Sequence, residues 1–187
     1  MSRALILIDI QEGMDSPLWG ARNNPDAEHN AARLLSRFRD AGAPLFHVYH
    51  LSTRATSPLH PDNGGTKIKA IVAPRDGEPV YSKQTNSAFI GTALESDLRK
   101  AGVTGVVIAG LSTPQCISTS VRMAANLGFD TWLAHDACAA FETHADNSWS
   151  DGAPKMTADD IHRAEVSMLH GEFCRADSTD AILEALT

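Results

Sequence analysis

Basic runs are missing from this 187-residue sequence: its 16 lysines and arginines are scattered, face 23 acids and leave a net charge of −7. Nucleic-acid partners ask for a basic stripe, so that class is excluded. Long apolar runs are missing as well. The chain enters Ala4-Leu5-Ile6-Leu7-Ile8 straight after three residues, a run too short for a signal-peptide core or a membrane span. A soluble cytoplasmic protein with no membrane partner is the expectation. Cysteine is scarce. Cys116, Cys138 and Cys174 are odd in number and irregularly spaced, so they suggest neither a disulfide framework nor a CxxC pair for zinc or redox chemistry. No GxGxxG follows a strand, which argues against nucleotide binding.

What is present suits one α/β domain over residues 1–187. At 43% hydrophobic, a chain of this length buries a core around one sheet. Short β-rich runs at 4–8, 45–49, 80–83, 106–109 and 131–134 alternate with helical stretches at 27–40, 92–101, 114–127, 158–169 and 178–186. A further short strand is expected near Phe173. The 27–40 stretch places Ala31, Leu34, Leu35 and Phe38 on one stripe and Gly42 just past its end. Residues 51–79 and 139–155 are long, polar and irregular, which in a compact domain marks functional or mobile segments. Strands separated by helices predict a doubly wound, Rossmann-like parallel sheet with helices on both faces.

Such sheets bind ligands beyond the carboxyl ends of their strands, where strand order reverses. The residues just after each apolar run are Asp9, Lys83, the segment 110–116, and His135 with Asp136. The third of these is the most informative. Thr113 followed by Pro114 is a helix start, with Ser112 and Gln115 as an alternative capping box. Either puts Cys116 in a first helical turn, where free N–H groups and the helix dipole favour a thiolate and can hold an oxyanion. Asp9 faces Cys116 if strands one and four adjoin. A free thiol and a free Asp differ by about 4.6 pKa units, roughly 6 kcal/mol against moving the proton to Asp. Burial of Asp9 and a cation beside Cys116 would narrow that gap, and Lys83 is the natural cation. The sequence alone does not bring strand three to the same crevice.

Ile8-Asp9-Ile10-Gln11, then Ser82-Lys83-Gln84-Thr85-Asn86-Ser87-Ala88-Phe89, then Gly110-Leu111-Ser112-Thr113-Pro114-Gln115-Cys116 resemble the isochorismatase-like hydrolases. The similarity extends to the helix Val121 to Gly128 and to Asp136-Ala137-Cys138-Ala139. The resemblance implies Asp9 as general base, Lys83 as the stabilising cation and Cys116 as nucleophile. It also implies a cis Leu111–Ser112 bond that turns the Ser112 N–H toward the Cys116 N–H as an oxyanion hole. The chemistry implied is hydrolysis of a small molecule's amide-type C–N bond through a thioester, with no metal and no organic cofactor. A neighbouring subunit often completes the pocket in this family, so a homo-oligomer is expected. Nicotinamidases of the family carry an Asp-x-His metal motif after the second strand; here that place reads His47-Val48-Tyr49-His50, which disfavours that activity. The named amide substrates of the family, among them maleamate and streptothricin, are not distinguished by the sequence.

Two other functions stay open: enol-ether hydrolysis of isochorismate with Cys116 incidental, and a binding protein that has lost turnover. Cys138 and Cys174 are read as buried structural thiols. His47 and His50, three apart on a strand, point to opposite faces and make no metal pair. Trp19, Phe89 and Trp149 lie in or near irregular segments after strand ends. They are candidate pocket walls, with core or interface packing as the alternative.

Overall fold

The computed structural model describes residues 2–186. Its strands are β1 (Arg3–Ile8), β2 (Leu45–His50), β3 (Val80–Lys83), β4 (Gly105–Leu111), β5 (Asp130–Ala139) and β6 (Arg175–Asp177). All neighbours pair in parallel in the order β3-β2-β1-β4-β5-β6. The chain winds outward from β1 to β3, returns to the middle and winds outward again from β4. The reversal between β1 and β4 opens the crevice that parallel sheets use for ligands.

Helices α1 (Ala27–Asp40), α2 (Leu94–Lys100), α3 (Ser118–Asn126), α4 (Ala158–Leu169) and α5 (Thr179–Ala185) supply the two outer layers. The alternation of β1 divides the core. Leu5 and Leu7 meet Leu34, Leu35 and Phe38 of α1 and Ile182 of α5. Ala4, Ile6 and Ile8 meet Leu94 and Leu98 of α2, Val121 of α3 and Leu169 of α4. Each fully buried Leu or Phe stabilises by about 1.5–3 kcal/mol, so the stripe read on α1 binds that helix to the sheet. Among the described residues no helix is long and apolar enough to cross a membrane.

Three local expectations change. The stretch 114–127 is not one helix: Thr113–Ile117 forms a π-helical turn, and α3 starts only at Ser118. Neither hydroxyl caps it, because Ser112 Oγ is paired with His144 Nδ1 at 2.8 Å and Thr113 Oγ1 with His162 Nδ1 at 2.8 Å. The fifth strand runs on to Ala139 because its register with β4 jumps, Ile108 facing Leu133 and Gly110 facing Cys138. Asp136 therefore sits within β5, where its Oδ1 accepts from the N–H and hydroxyl of Thr179 at 2.7 Å each and holds the start of α5. The strand expected near Phe173 falls at Arg175–Asp177, since 170–174 is spent on a turn around Gly171 (φ 87°).

Candidate active site

β1 ends in a backbone turn that aims one side chain. Asp9 has φ 55°, a left-handed conformation that Asp tolerates better than most residues. Its N–H still donates to Val48 O at 2.9 Å, so the turn stays fastened to β2. Two residues on, the buried Gln11 side chain donates to His50 O (3.0 Å) and Thr66 O (2.9 Å) and accepts from His50 N (2.8 Å). Gln11 thus ties the ends of β1 and β2 to the 51–79 segment. On the other side, Gly110 (φ 137°) lets β4 come close: a Cβ there would lie 1.9 Å from Ile8 O.

These approaches bring three strand ends together. Lys83 closes β3, the edge strand, in register with His50. Its side chain runs fully buried beneath β2, and Nζ reaches Asp9 Oδ2 at 2.6 Å. The same Nζ lies 3.3 Å from Cys116 Sγ and 3.4 Å from His50 Nδ1. Asp9, Lys83 and Cys116, read from separate parts of the sequence, meet at one point. Asp9 Oδ1 is buried without a hydrogen-bond partner among the described residues. The Leu111–Ser112 peptide bond beside Cys116 is cis.

The electrostatics correct one expectation. The position of Cys116 favours a thiolate in the sequence reading, yet burial and then the Asp9 charge push the thiol well up, and Lys83 only partly opposes them. Burial also raises Asp9, with Lys83 pulling it back. The resting thiol is therefore protonated, beside the Asp9–Lys83 pair. His50 is held below the usual imidazole range by burial and by the Lys83 charge. His144 is lowered to about 4 by burial, so both rings near the cluster are neutral at pH 7.

Asp9, His50 and Cys116 place a carboxylate oxygen, an imidazole nitrogen and a sulfur within 4.8 Å of one another, a donor set a soft divalent cation would accept. The Lys83 ammonium stands among those three donors. That makes the cluster a cation-filled site made from protein alone. His47 is turned elsewhere: its Nε2 pairs with Glu78 Oε2 at 3.0 Å.

Above the cluster opens a cavity of about 540 Å³ whose lining includes Asp9, His50, Ser112 and Cys116. Its walls come from the three irregular segments: Met14 and Trp19, the stretch from Ser52 to Leu59, and His144. Trp19 lies in this lining. Its Nε1 donates to Gly13 O at 2.8 Å, and its ring meets His144 edge-on at 5.4 Å. Phe89 does not: it stacks on Phe129 at 6.3 Å against the core, because the chain after Lys83 turns inward at the buried Ala88. Trp149 is also outside the lining, 83% exposed on the 139–155 segment. His144, Arg54, Gln84, Asn86 and Gln115 also line the cavity, none of them among the pocket residues expected from the sequence. Gln84, Asn86 and Gln115 lie within the motifs that carry Lys83 and Cys116, which is a usable signal. His144 and Arg54 lie in irregular segments with no motif around them. Cys138 and Cys174 are buried in the core, where burial pushes each up to about 12.

A doubly wound sheet whose reversal point gathers a carboxylate, an ammonium and a thiol beneath a cavity defines a class of small-molecule enzyme folds. The particular family follows from comparison: residues 3–160 match the Isochorismatase domain, and the chain belongs to the isochorismatase family. It is 42% identical over 182 residues to an uncharacterized isochorismatase family protein of Bacillus subtilis, covering 97% of this chain and 94% of the relative. It is 34% identical over 163 residues to the maleamate amidohydrolase of Pseudomonas putida, covering 76% and 74%. A crystal structure of an isochorismatase-family protein from Chromobacterium violaceum superposes with a TM-score of 0.91 at 43% identity, over 99% of this chain and 93% of that one. Members of this family are hydrolases, some of them amidohydrolases.

Proposed function

We propose that this protein is a cysteine hydrolase that cleaves an amide-type C–N bond of a small molecule, with Cys116 as nucleophile, Asp9 as proton carrier and Lys83 as charge stabiliser. The observation that carries the reading is the Lys83 ammonium, 2.6 Å from Asp9 Oδ2 and 3.3 Å from Cys116 Sγ, buried behind the two residues that line the cavity. As sulfur attacks the substrate carbonyl carbon, the thiol proton passes to Asp9. The carbonyl oxygen becomes an oxyanion, held by the N–H groups of Ser112 and Cys116; one such donor is worth about 10²–10³ in rate. Asp9 then gives its proton to the leaving nitrogen as the C–N bond breaks, which leaves a thioester on Cys116. Water, deprotonated by Asp9, attacks the thioester and releases a carboxylic acid and the free thiol. The maleamate amidohydrolase among the relatives supports an amide rather than an enol ether as the bond class.

The working enzyme is proposed to be a homo-oligomer whose subunits meet near the exposed Trp149. The test of the chemistry is to incubate the protein with a panel of small amides and to seek the acyl adduct on Cys116 by mass spectrometry. An adduct on Cys116 that is absent in Cys116→Ala, with turnover lost, supports the thioester route. Turnover that survives Cys116→Ala overturns it and moves enol-ether hydrolysis of isochorismate forward.

A further inference from the structure

The 139–155 segment brings to the cavity a histidine that the mechanism does not use. The segment is fastened at its start. Ala140 N donates to Asn23 Oδ1 at 2.8 Å, Glu142 N to Ala21 O at 2.9 Å and Thr143 Oγ1 to Trp19 O at 2.9 Å. His144 N closes the turn onto Phe141 O at 3.0 Å. The His144 ring is thereby set against Trp19 and the buried Phe141, edge-on at 5.4 and 5.2 Å. Its Nδ1 meets Ser112 Oγ at 2.8 Å, and Ser112, His144 and Cys116 all line the cavity.

The far side of the ring decides where the proton of this pair sits. His144 is neutral at pH 7, so only one of its nitrogens carries a proton. Its Nε2 is buried and has no hydrogen-bond partner among the described residues. A proton there would be a buried N–H without an acceptor, the rarer kind of orphan, whereas a bare ring nitrogen is only an unused acceptor. The proton therefore sits on Nδ1 and is donated to Ser112 Oγ. A hydroxyl accepts and donates at once, so Ser112 keeps its own proton to give. The N and Oγ of one serine are three bonds apart, about 3 Å, and an oxygen held by the Ser112 N–H is within reach of the Ser112 hydroxyl as well.

We propose that the Ser112 hydroxyl, turned toward the cavity by the His144 Nδ1–H, is a third donor to the oxyanion, with His144 as its positioning residue. This rests on the cysteine-hydrolase reading, which puts the oxyanion beside the Ser112 N–H. Two reactions of Cys116 test it. Alkylation by iodoacetamide forms a C–S bond as iodide leaves and builds no oxyanion. Acylation by p-nitrophenyl acetate passes through one: sulfur adds to the ester carbonyl, the thiol proton goes to Asp9, and p-nitrophenolate departs to leave a thioester. The burst of p-nitrophenolate and the acetylated Cys116 peptide give the acylation rate. Ser112→Ala should slow acylation about 10²-fold, the lower end of what one oxyanion donor is worth, and leave alkylation within about twofold. His144→Leu should show the same selective loss, and His144→Gln, whose amide can still donate to Oγ, should recover much of it. Acylation untouched in Ser112→Ala overturns the donor. Loss of both reactions together overturns it too, since the variant then acts through the placing of Cys116. Acylation untouched in His144→Leu overturns the pairing. A wild-type Cys116 that alkylates yet never forms the acetyl thioester takes down the cysteine-hydrolase reading itself, and the donor with it.

Discussion

Replacing Asp9 with Asn should make Cys116 more reactive and the enzyme less active. The reasoning begins with the resting charges. The Cys116 thiol is pushed up by burial and by Asp9, with Lys83 opposing. The donor atoms of Asp9 and Cys116 lie within 4.8 Å of each other. At an effective dielectric of ~20, two unit charges at that separation repel by about 3.5 kcal/mol, more than two orders of magnitude in thiolate fraction at a fixed pH below the thiol's own pKa. A less basic thiolate is also a weaker nucleophile, with a Brønsted slope of about 0.4–0.5. The net gain in alkylation rate is then roughly 10- to 30-fold. Asn keeps the shape of Asp9 and frees the Lys83 ammonium to pair with the thiolate instead. The assay is iodoacetamide labelling against pH, mapped by peptide, with Cys138 and Cys174 as buried references. Cys116 in Asp9→Asn should label faster, with its rising limb moved to lower pH, while amide turnover falls by at least about 10² because no group carries the proton to the leaving nitrogen. Slower labelling of the variant at every pH would refute the reasoning. It would mean that the proton already sits on Asp9 in the resting enzyme and that sulfur, not carboxylate, is the partner of Lys83.

Lys83→Met should abolish turnover and destabilise the fold by about 3–5 kcal/mol at neutral pH, because Asp9 is left charged and buried. Its pH dependence has a definite sign. Asp9 is raised in the folded state and rises further without its cation, so the variant should lose stability as pH climbs through that raised value, as read by urea unfolding between pH 4 and 8. Glu28 behaves oppositely. Burial pushes it up, but hydrogen bonds and charges from Arg22 and Lys69 more than offset this and leave it at about 2, against 4.5 for a free Glu. It should contribute about 3 kcal/mol above pH 4.5 and lose it as pH falls toward 2, so Glu28→Gln should flatten the acid limb of thermal unfolding. Gly110→Ala should destabilise by roughly 3 kcal/mol or more, since its Cβ meets Ile8 O at 1.9 Å; differential scanning calorimetry reads the loss.

The layers of the fold were legible because each rests on a local pattern. The 27–40 and 158–169 helices and the 80–83 strand have the bounds expected from apolar periodicity and flanking breakers. The segment around Cys116 was less legible, since Ser112 and Thr113 look like caps. Whether a hydroxyl caps its own helix depends on competitors that arrive from far along the chain. His144 and His162 are those competitors. Lys83 shows the same limit. Its strand is local information, but its reach to Asp9 requires β2 to lie between β3 and β1, and strand order is set by tertiary packing. Phe89 and Trp149 were open between wall and packing because an aromatic in an irregular segment carries no periodicity to decide which way it faces.

The composition of the buried cluster explains why it can be buried at all. A carboxylate and an ammonium sum to zero, and the protonated thiol adds nothing. Moving the proton from sulfur to Asp9 turns the acid neutral and the thiol negative, so the sum beside Lys83 is again zero. In the proposed mechanism the reaction therefore shifts a charge by a few ångströms between two partners of one ammonium and never creates a net charge in a buried cluster, where an unpaired ion costs several kcal/mol. The neutral imidazole of His50 belongs to this balance. Its Nδ1 lies 3.4 Å from Lys83 Nζ, and a proton there would set two cations against one anion. Acid should accordingly silence the enzyme before it unfolds it, because protonation of either Asp9 or His50 breaks the neutral sum while the Glu28 clamp, with its value of about 2, still holds. Turnover and the circular dichroism of the fold, followed together on lowering pH from 7 to 3, separate the two events: activity should fall first. Their loss at a single pH would show that the cluster's charge balance is not what limits the enzyme in acid.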